Sequence, residues 1–207
     1  MKKYMFLFSG VILLLFIAFS SRVQAQASDN VWSIGLEAGP SFSKYGQDAS
    51  SSDFKTGFLL GANLNYSIRN TYGFTGKLLY AQKGAKQGNV KQTLNYVEVP
   101  IVARVFFNRD GKFRPNLFAG PSFGFLTSAK SKTGSADRVD IDNYESIFKT
   151  FDFGLTGGIG LNYEIVPDMR ILVDFRYTHG LTDIAESAAS KVNNQSIAIT
   201  AGFSIGI

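Results

Sequence analysis

The sequence predicts an all-β fold: an eight-stranded antiparallel up-and-down transmembrane β-barrel, preceded by a signal peptide. Three observations predict it. Residues 151–180 alternate apolar and polar side chains through two runs joined at Val166-Pro167-Asp168. The same alternation recurs in eight runs of about 12 to 15 residues. The connections between runs are alternately long and short. A period of two marks a strand, because successive side chains point to opposite faces. Antiparallel strands send alternate connections to opposite ends, so all the long connections share one end.

Residues 1–25 read as a secretory signal peptide. Lys2 and Lys3 open it, residues 6–19 form its apolar core, and Val23-Gln24-Ala25 is a small-residue cleavage site. The barrel domain is then residues 26–207. Without residues 1–25 the 21 basic and 16 acidic residues become 18 and 16, so the basic balance of the whole chain does not point to nucleic acid. The chain has no cysteine, which excludes a disulfide scaffold, a thiolate metal site and a lipid-anchored cysteine. Beyond residue 25 no apolar run approaches the length of a spanning helix, so a membrane can be crossed only by a closed barrel.

The strands follow in order. The first, residues 31–43, sets Trp32, Ile34, Leu36, Ala38, Pro40 and Phe42 against Ser33, Gly35, Glu37, Gly39, Ser41 and Ser43. Residues 44–55 are a polar loop. The second, residues 56–68, sets Phe58, Leu60, Leu64 and Tyr66 against Gly57, Gly61, Asn63 and Asn65, with Leu59 an apolar intruder. After a turn at 69–71, residues 72–83 set Tyr72, Phe74, Leu78 and Tyr80 against Thr75, Lys77 and Lys83. Residues 84–92 are a loop. The fourth strand, 93–107, sets Val97, Val99, Ile101, Ala103, Val105 and Phe107 against Glu98 and Arg104. Pro100 lacks a ladder donor, and a bulge is expected there.

A turn at 108–112 leads to the fifth strand, 113–126. Phe113, Leu117, Phe123 and Phe125 oppose Arg114, Asn116, Ser122 and Gly124, and Phe118 and Leu126 are large residues on the small face. Residues 127–150 are the longest connection. In the sixth and seventh strands Phe151, Phe153, Ile159, Tyr163, Ile171, Phe175 and Tyr177 oppose Asp152, Thr156, Glu164, Arg170, Asp174 and Arg176, with Leu172 the exception. Residues 181–194 form a loop, and 195–207 alternate to the last residue.

Long loops at one end, with short turns and both termini at the other, are the pattern of bacterial outer-membrane barrels. About 10 residues tilted near 45° project to ~24 Å, the height of an outer-membrane apolar band. Trp32, Phe42, Tyr66, Tyr72, Tyr80, Tyr163 and Tyr177 stand toward the strand ends, where interfacial aromatics belong. The polar faces then line a lumen narrow enough to be filled by side chains. It would hold five acids (Glu37, Glu98, Asp152, Glu164, Asp174) and five bases (Lys77, Arg104, Arg114, Arg170, Arg176). Buried charge is tolerable when paired, so an equal count fits a closed, salt-bridged plug.

These runs resemble the outer-membrane β-barrel domain family of Bacteroidetes-type bacteria, the PorT-like small barrels of the porin family. The matching stretches are GLEAGPSFSKY, NYVEVPIVARVFF, LFAGPSFGFL, GLTGGIGLNYEI and ILVDFRYTHGLTDI. The resemblance implies an eight-stranded barrel in the outer membrane, and one branch of the family is associated with protein secretion. A terminal aromatic that serves such barrels as an assembly signal is replaced here by Ile207, with Phe203 nearby.

Other chemistries have thin support. His179 is the only histidine, with Asp183 and Ser187 near in sequence, so a catalytic triad at the rim is conceivable. Asp137, Asp140, Asp142 and Glu145 cluster in the longest loop, but their spacing does not match a calcium-binding loop. Gly158-Ile159-Gly160 lies mid-strand, which does not support dinucleotide binding. The expectation is a non-enzymatic barrel exported through the periplasm to the cell outer membrane, without metal or cofactor. Its partners would be outer-membrane lipid, the barrel-assembly machinery and envelope proteins, not nucleic acid. The alternatives are a small barrel enzyme acting on outer-membrane lipid and a narrow channel for small solutes.

Overall fold

Each expected run of alternating residues forms a strand in the computed structural model, which describes residues 30–49, 51–109, 111–187 and 191–207. The expected signal peptide, residues 1–25, lies outside the described residues. The long strands are β1 (Asn30–Gln47), β2 (Lys55–Ile68), β3 (Tyr72–Lys83), β4 (Val90–Phe106), β5 (Phe113–Thr133), β6 (Phe151–Val166), β7 (Met169–Gly180) and β8 (Val192–Gly206). Each pairs antiparallel with its neighbours in sequence. β1 also pairs with β8, from Ser33 opposite Gly206 to Gln47 opposite Val192. That pairing closes an eight-stranded ring, so the long strands leave no free sheet edge.

The two faces divide as the alternation requires. Ile34, Leu64, Leu78, Leu117, Ile159 and Ile199 are exposed on the outer wall. Residues of the opposite parity, Ser33, Asn63, Lys77, Asn116, Thr156 and Thr200, are buried inside. The exposed apolar belt runs through all eight strands, far more than an aqueous surface carries. Turn chemistry fixes the register at the other end. Arg69 and Asn70 both have positive φ, 48° and 55°, as the two central residues of a tight turn closed by Thr71 N to Ile68 O at 3.1 Å.

Three expectations need correction. First, the strands run further than expected at the long-loop end: β1 to Gln47, β5 to Thr133 and β8 from Val192. There the backbone ladder continues, although no lipid selects an apolar side chain. The connections shorten to residues 48–54, 84–89, 134–150 and 181–191, against 69–71, 107–112 and 167–168 at the turn end. The second long connection is thus no longer than the 107–112 turn, because strand has taken up its flanks. Lys86–Gln87 and Val139–Asp140 add two-residue strands to β4 and β5.

Second, Pro100 carries no bulge. It pairs with Ser122 in unbroken register, and the β3–β4 ladder only lapses beside it, resuming at Gly76–Ile101 and Leu79–Glu98 without a shift. A missing N–H removes a bond but does not require an extra residue. Third, the register shift of the β4–β5 ladder lies higher. Asn95 pairs with Ser128 and Tyr96 with Leu126, leaving Thr127 as the extra residue. It exchanges the inward and outward parity of β5 beyond that point.

Candidate functional site

The strongest arrangement of polar side chains is inside the cylinder, in two ionic clusters. In the lower one, nearer the turns, Lys77 Nζ lies 2.8 Å from both carboxylate oxygens of Glu37 and 2.9 Å from Asp174 Oδ2. Arg104 grips Asp174 with both terminal nitrogens, one of them 3.0 Å from Oδ1. The same guanidinium donates to Asn116 Oδ1 at 2.8 Å and to Thr75 Oγ1 at 3.0 Å, and stacks on the Phe118 ring. Thr75 donates to Asn65, Asn65 to Asn63, and Asn63 to Glu37. Two acids and two bases from β1, β3, β4 and β7 are thus linked across the lumen. Strands far apart in the chain can meet this way only because the ring is closed.

Gly160 explains how so much fits. A Cβ there would lie 2.5 Å from Asn116 Oδ1 and from Asp174 Oδ1, and 2.8 Å from Arg104 Nη1. The β6 wall is bare at that level because the cluster occupies the space a side chain would fill.

The upper cluster is looser. Lys83 Nζ lies 3.4 Å from Asp152 Oδ2 and 3.9 Å from Glu98 Oε2, and Arg176 Nη2 lies 3.8 Å from Glu98 Oε2. Ser122 donates to Glu98 at 2.6 Å and Asn194 to Asp152 at 2.9 Å. Lys83 lies on the polar face expected from the sequence but outside the ten charges expected in the lumen. It shares the parity of Lys77, which was the available signal. The last members lie at the turn end. Arg170 pairs with Glu164 at 3.1 Å in a half-exposed position. Arg114 donates to the carbonyls of Asn70 and Asn108 and stacks on Phe106. A cavity of about 30 Å³ lies among Ser33, Asn65, Arg104, Arg114 and Arg170, room for about one water molecule.

At the long-loop end the lumen turns apolar. Tyr45, Leu94, Tyr96, Leu126 and Ala129 project from strands β1, β4 and β5. Ala85, Phe148 and Ile184 come down on them from three different connections. All eight are buried, and Leu94, Tyr96 and Ile184 are fully so. Backbone bonds hold the lid, among them Lys149 N to Ile184 O and Ile184 N to Val192 O, both 2.8 Å. Asp183 anchors it further. It accepts the amides of Val192 at 2.9 Å and Ala185 at 3.1 Å and lies 3.5 Å from Lys149. Those bonds, the Val192 amide first, hold its carboxyl below the ordinary carboxylate range. A depressed acid contributes stability above its unfolded pKa, ~3.9, and loses it as pH falls through the folded value. At pH 7 Asp183→Ala is expected to speed hydrogen exchange at the Ala185 and Val192 amides by about tenfold, as a solvent-screened charged hydrogen bond allows. The difference from wild type should vanish below the folded pKa, where wild type is protonated too.

The aromatic residues fall at two levels. Trp32 and Tyr66 stand with ring centroids 4.6 Å apart near the turns, with Tyr72 and Tyr163 also on the outer wall there. Toward the loops Tyr80 packs on Phe58 at 5.8 Å, and Phe42 and Tyr177 lie at that end of β1 and β7. Phe123–Phe153 and Phe125–Phe151 complete this upper ring. In the sequence these phenylalanines read only as part of the apolar face.

The conceivable triad is not assembled. His179 meets Tyr177, Nδ1 to hydroxyl 3.2 Å, while Asp183 is committed to backbone amides and Lys149. In the acidic loop Asp140 pairs with Lys130 at 2.8 Å. Among the described residues no three His, Asp or Glu side chains converge as a metal site would require.

Residues 24–186 match the family model described as outer membrane protein beta-barrel domain. No curated protein matches the chain. Among solved structures, Neisserial surface protein A is similar at TM-score 0.57 and 16% identity, over 87% of this chain and 99% of that one. A major outer membrane protein from Thermus thermophilus is similar at TM-score 0.54 and 10% identity, over 86% of this chain and 99% of that one. At such identities the likeness is one of fold.

Proposed function

The chain belongs to the outer membrane protein beta-barrel domain family, and on that premise we propose that it is a closed, non-enzymatic barrel acting through its loop surface or through envelope partners. It is a small integral protein of the bacterial outer membrane, crossed by eight strands. The observation that carries the proposal is the filling of the lumen. Two cross-linked ionic clusters occupy its middle, and Tyr45, Leu94, Tyr96, Leu126, Phe148 and Ile184 stopper its mouth. A conduit for solutes needs a continuous wet path. Here the acids and bases neutralise one another in place, and the apolar lid excludes water.

In this reading the ten charges singled out in the sequence, joined by Lys83, are structural. Trp32, Tyr66, Tyr72 and Tyr163 mark the periplasmic interface, and Phe42, Tyr80 and Tyr177 the outer one. Residues 1–25 are the export signal, cleaved before insertion by the barrel-assembly machinery. The motifs NYVEVPIVARVFF and ILVDFRYTHGLTDI resemble the PorT-like family, and in the branch of it associated with protein secretion a partner within the envelope would be a secretion component.

Planar-bilayer recording from the purified barrel tests the closed lumen. The expected result is no stable opening at any voltage that leaves the bilayer intact. Steady, resolvable openings would establish the narrow-channel alternative. Hydrolysis or acyl transfer on outer-membrane lipid that disappears in His179→Ala would establish the enzymatic one.

A further inference from the structure

The β4–β5 hairpin extends past the upper aromatic ring, and three lysines there lie in cross-strand register. Lys91 pairs with Lys86 of the short strand on one side and with Lys132 of β5 on the other. Cross-strand partners share a face, about 5 Å apart. The parity that turns Leu94, Tyr96 and Glu98 inward turns Lys91 outward, and the extra residue Thr127 brings Lys132 to the same outer face. Asp53 bridges to Lys86 at the end of the row through the backbone. Lys130, on the same face as Lys132, is already neutralised by Asp140.

Behind the row, on the inner face of β2 opposite Ser43, is Lys55. It lies three residues beyond Phe58 of the upper aromatic ring, outside the lipid-facing stretch, and is buried with its Nζ donating to the Lys83 carbonyl at 3.2 Å. Burial, then the charges of Lys91 and Arg138, pull its ammonium down to about 8. Like charges directly opposed weaken a sheet, and a lysine buried beside them adds to the cost. An anion laid against the row offsets both.

We propose that Lys86, Lys91 and Lys132, backed by Arg138 and Lys55, bind the phosphate groups of phosphorylated lipid in the outer leaflet. Position selects that source. The row is on the outward face of the sheet above the aromatic ring, six residues past Val97 on β4 or ~14 Å at a 45° tilt, and its long side chains can snorkel down toward the headgroups. Adjacent lysines about 5 Å apart can share one phosphate by charge-assisted hydrogen bonds. Clustered basic side chains at such a level bind anionic headgroups. The inference rests on the outer-membrane orientation proposed above, with the long loops outside.

Native mass spectrometry of the folded barrel, with diphosphorylated lipid A as the probe and phosphatidylcholine as the neutral control, tests it. Wild type is expected to retain lipid A and not the control. The triple variant K86Q/K91Q/K132Q is expected to bind about 100-fold more weakly, and K86R/K91R/K132R to bind like wild type. Equal retention by wild type and the glutamine variant would overturn the proposal. So would inorganic pyrophosphate displacing lipid A at equal concentration, which would point to a soluble anion. So would a sulfated oligosaccharide bound more tightly than lipid A. If the triple variant does not fold, K91Q alone should bind about fivefold more weakly, and no change would overturn the proposal. A boiled-against-unboiled gel keeps the two readings apart: a wild type without a heat-dependent shift refutes the barrel, whereas a shifted variant with unchanged lipid binding refutes only this site.

Discussion

Asp174→Ala is expected to destabilise the barrel by about 3–5 kcal/mol, the cost of leaving a buried ion pair with one side missing. Asp174 is the shared counter-ion of Lys77 and Arg104. Glu37 reaches Lys77 but not Arg104, so after the change one guanidinium faces the lumen without a carboxylate. Reversible urea unfolding in detergent or lipid, followed by tryptophan fluorescence of Trp32, measures the loss. The double variant Asp174→Ala/Arg104→Met should recover a large part of it, because removing both members of a buried pair is far less costly than removing one. By contrast Glu164→Ala should cost less than about 1 kcal/mol, since its bond to Arg170 is half-exposed and open to water.

The second large effect is expected on the other side of the wall. Ile159→Arg should cost about 2–4 kcal/mol in a bilayer, the range for a cation placed on the lipid face near the membrane midplane. Ile159 is 58% exposed and lies on β6 between the two aromatic levels, with Phe175 its partner on β7. In a fold whose exposed residues met water, the same change would be worth a few tenths of a kcal/mol. Ile207→Arg is the matched control. Ile207 is the most exposed large apolar residue among those described, at 74%, but it lies at the turn end, bonded to Trp32 at the level of the lower aromatics, where the cost falls to about 0–1 kcal/mol.

Much of the fold was legible because lipid and lumen impose opposite demands on neighbouring residues, and a period of two records both. The alternation bounds β3 correctly at Tyr72 and Lys83, and the other strands fall within a few residues except where they leave the bilayer. Above the bilayer the alternation loses its cause. The last seven residues of β5, with Ser128, Lys130 and Lys132 on one face, read as loop although the ladder to β4 continues. A bulge is expected at Pro100 because proline is visible in a sequence. The extra residue Thr127 has no such signature.

The interior was legible as composition and not as geometry. Equal numbers of acids and bases can be counted, but nothing in one strand shows that Asp174 joins Lys77 and Arg104. Lys83, on the same face as Lys77, is countable as a sixth base and lies outside the ten expected charges. The apolar lid was the larger omission. Leu126 stands out in the sequence as a large residue on a small face, and in the structure it meets Tyr96 across the ladder under Phe148 and Ile184. Phe148 and Ile184 lie in connections, where no period exists to assign a side chain to one face or the other.

The most direct measurement is accessibility at single cysteines, which the cysteine-free chain makes clean. Spin labels at Ile159, Phe175 and Phe203 in lipid vesicles should collide freely with oxygen and hardly at all with a water-soluble nickel complex. Labels at Thr156 and Thr200, on the inner wall, should collide little with either. Strong nickel collisions at Ile159, Phe175 and Phe203 would place the apolar wall in water and contradict the membrane-spanning account.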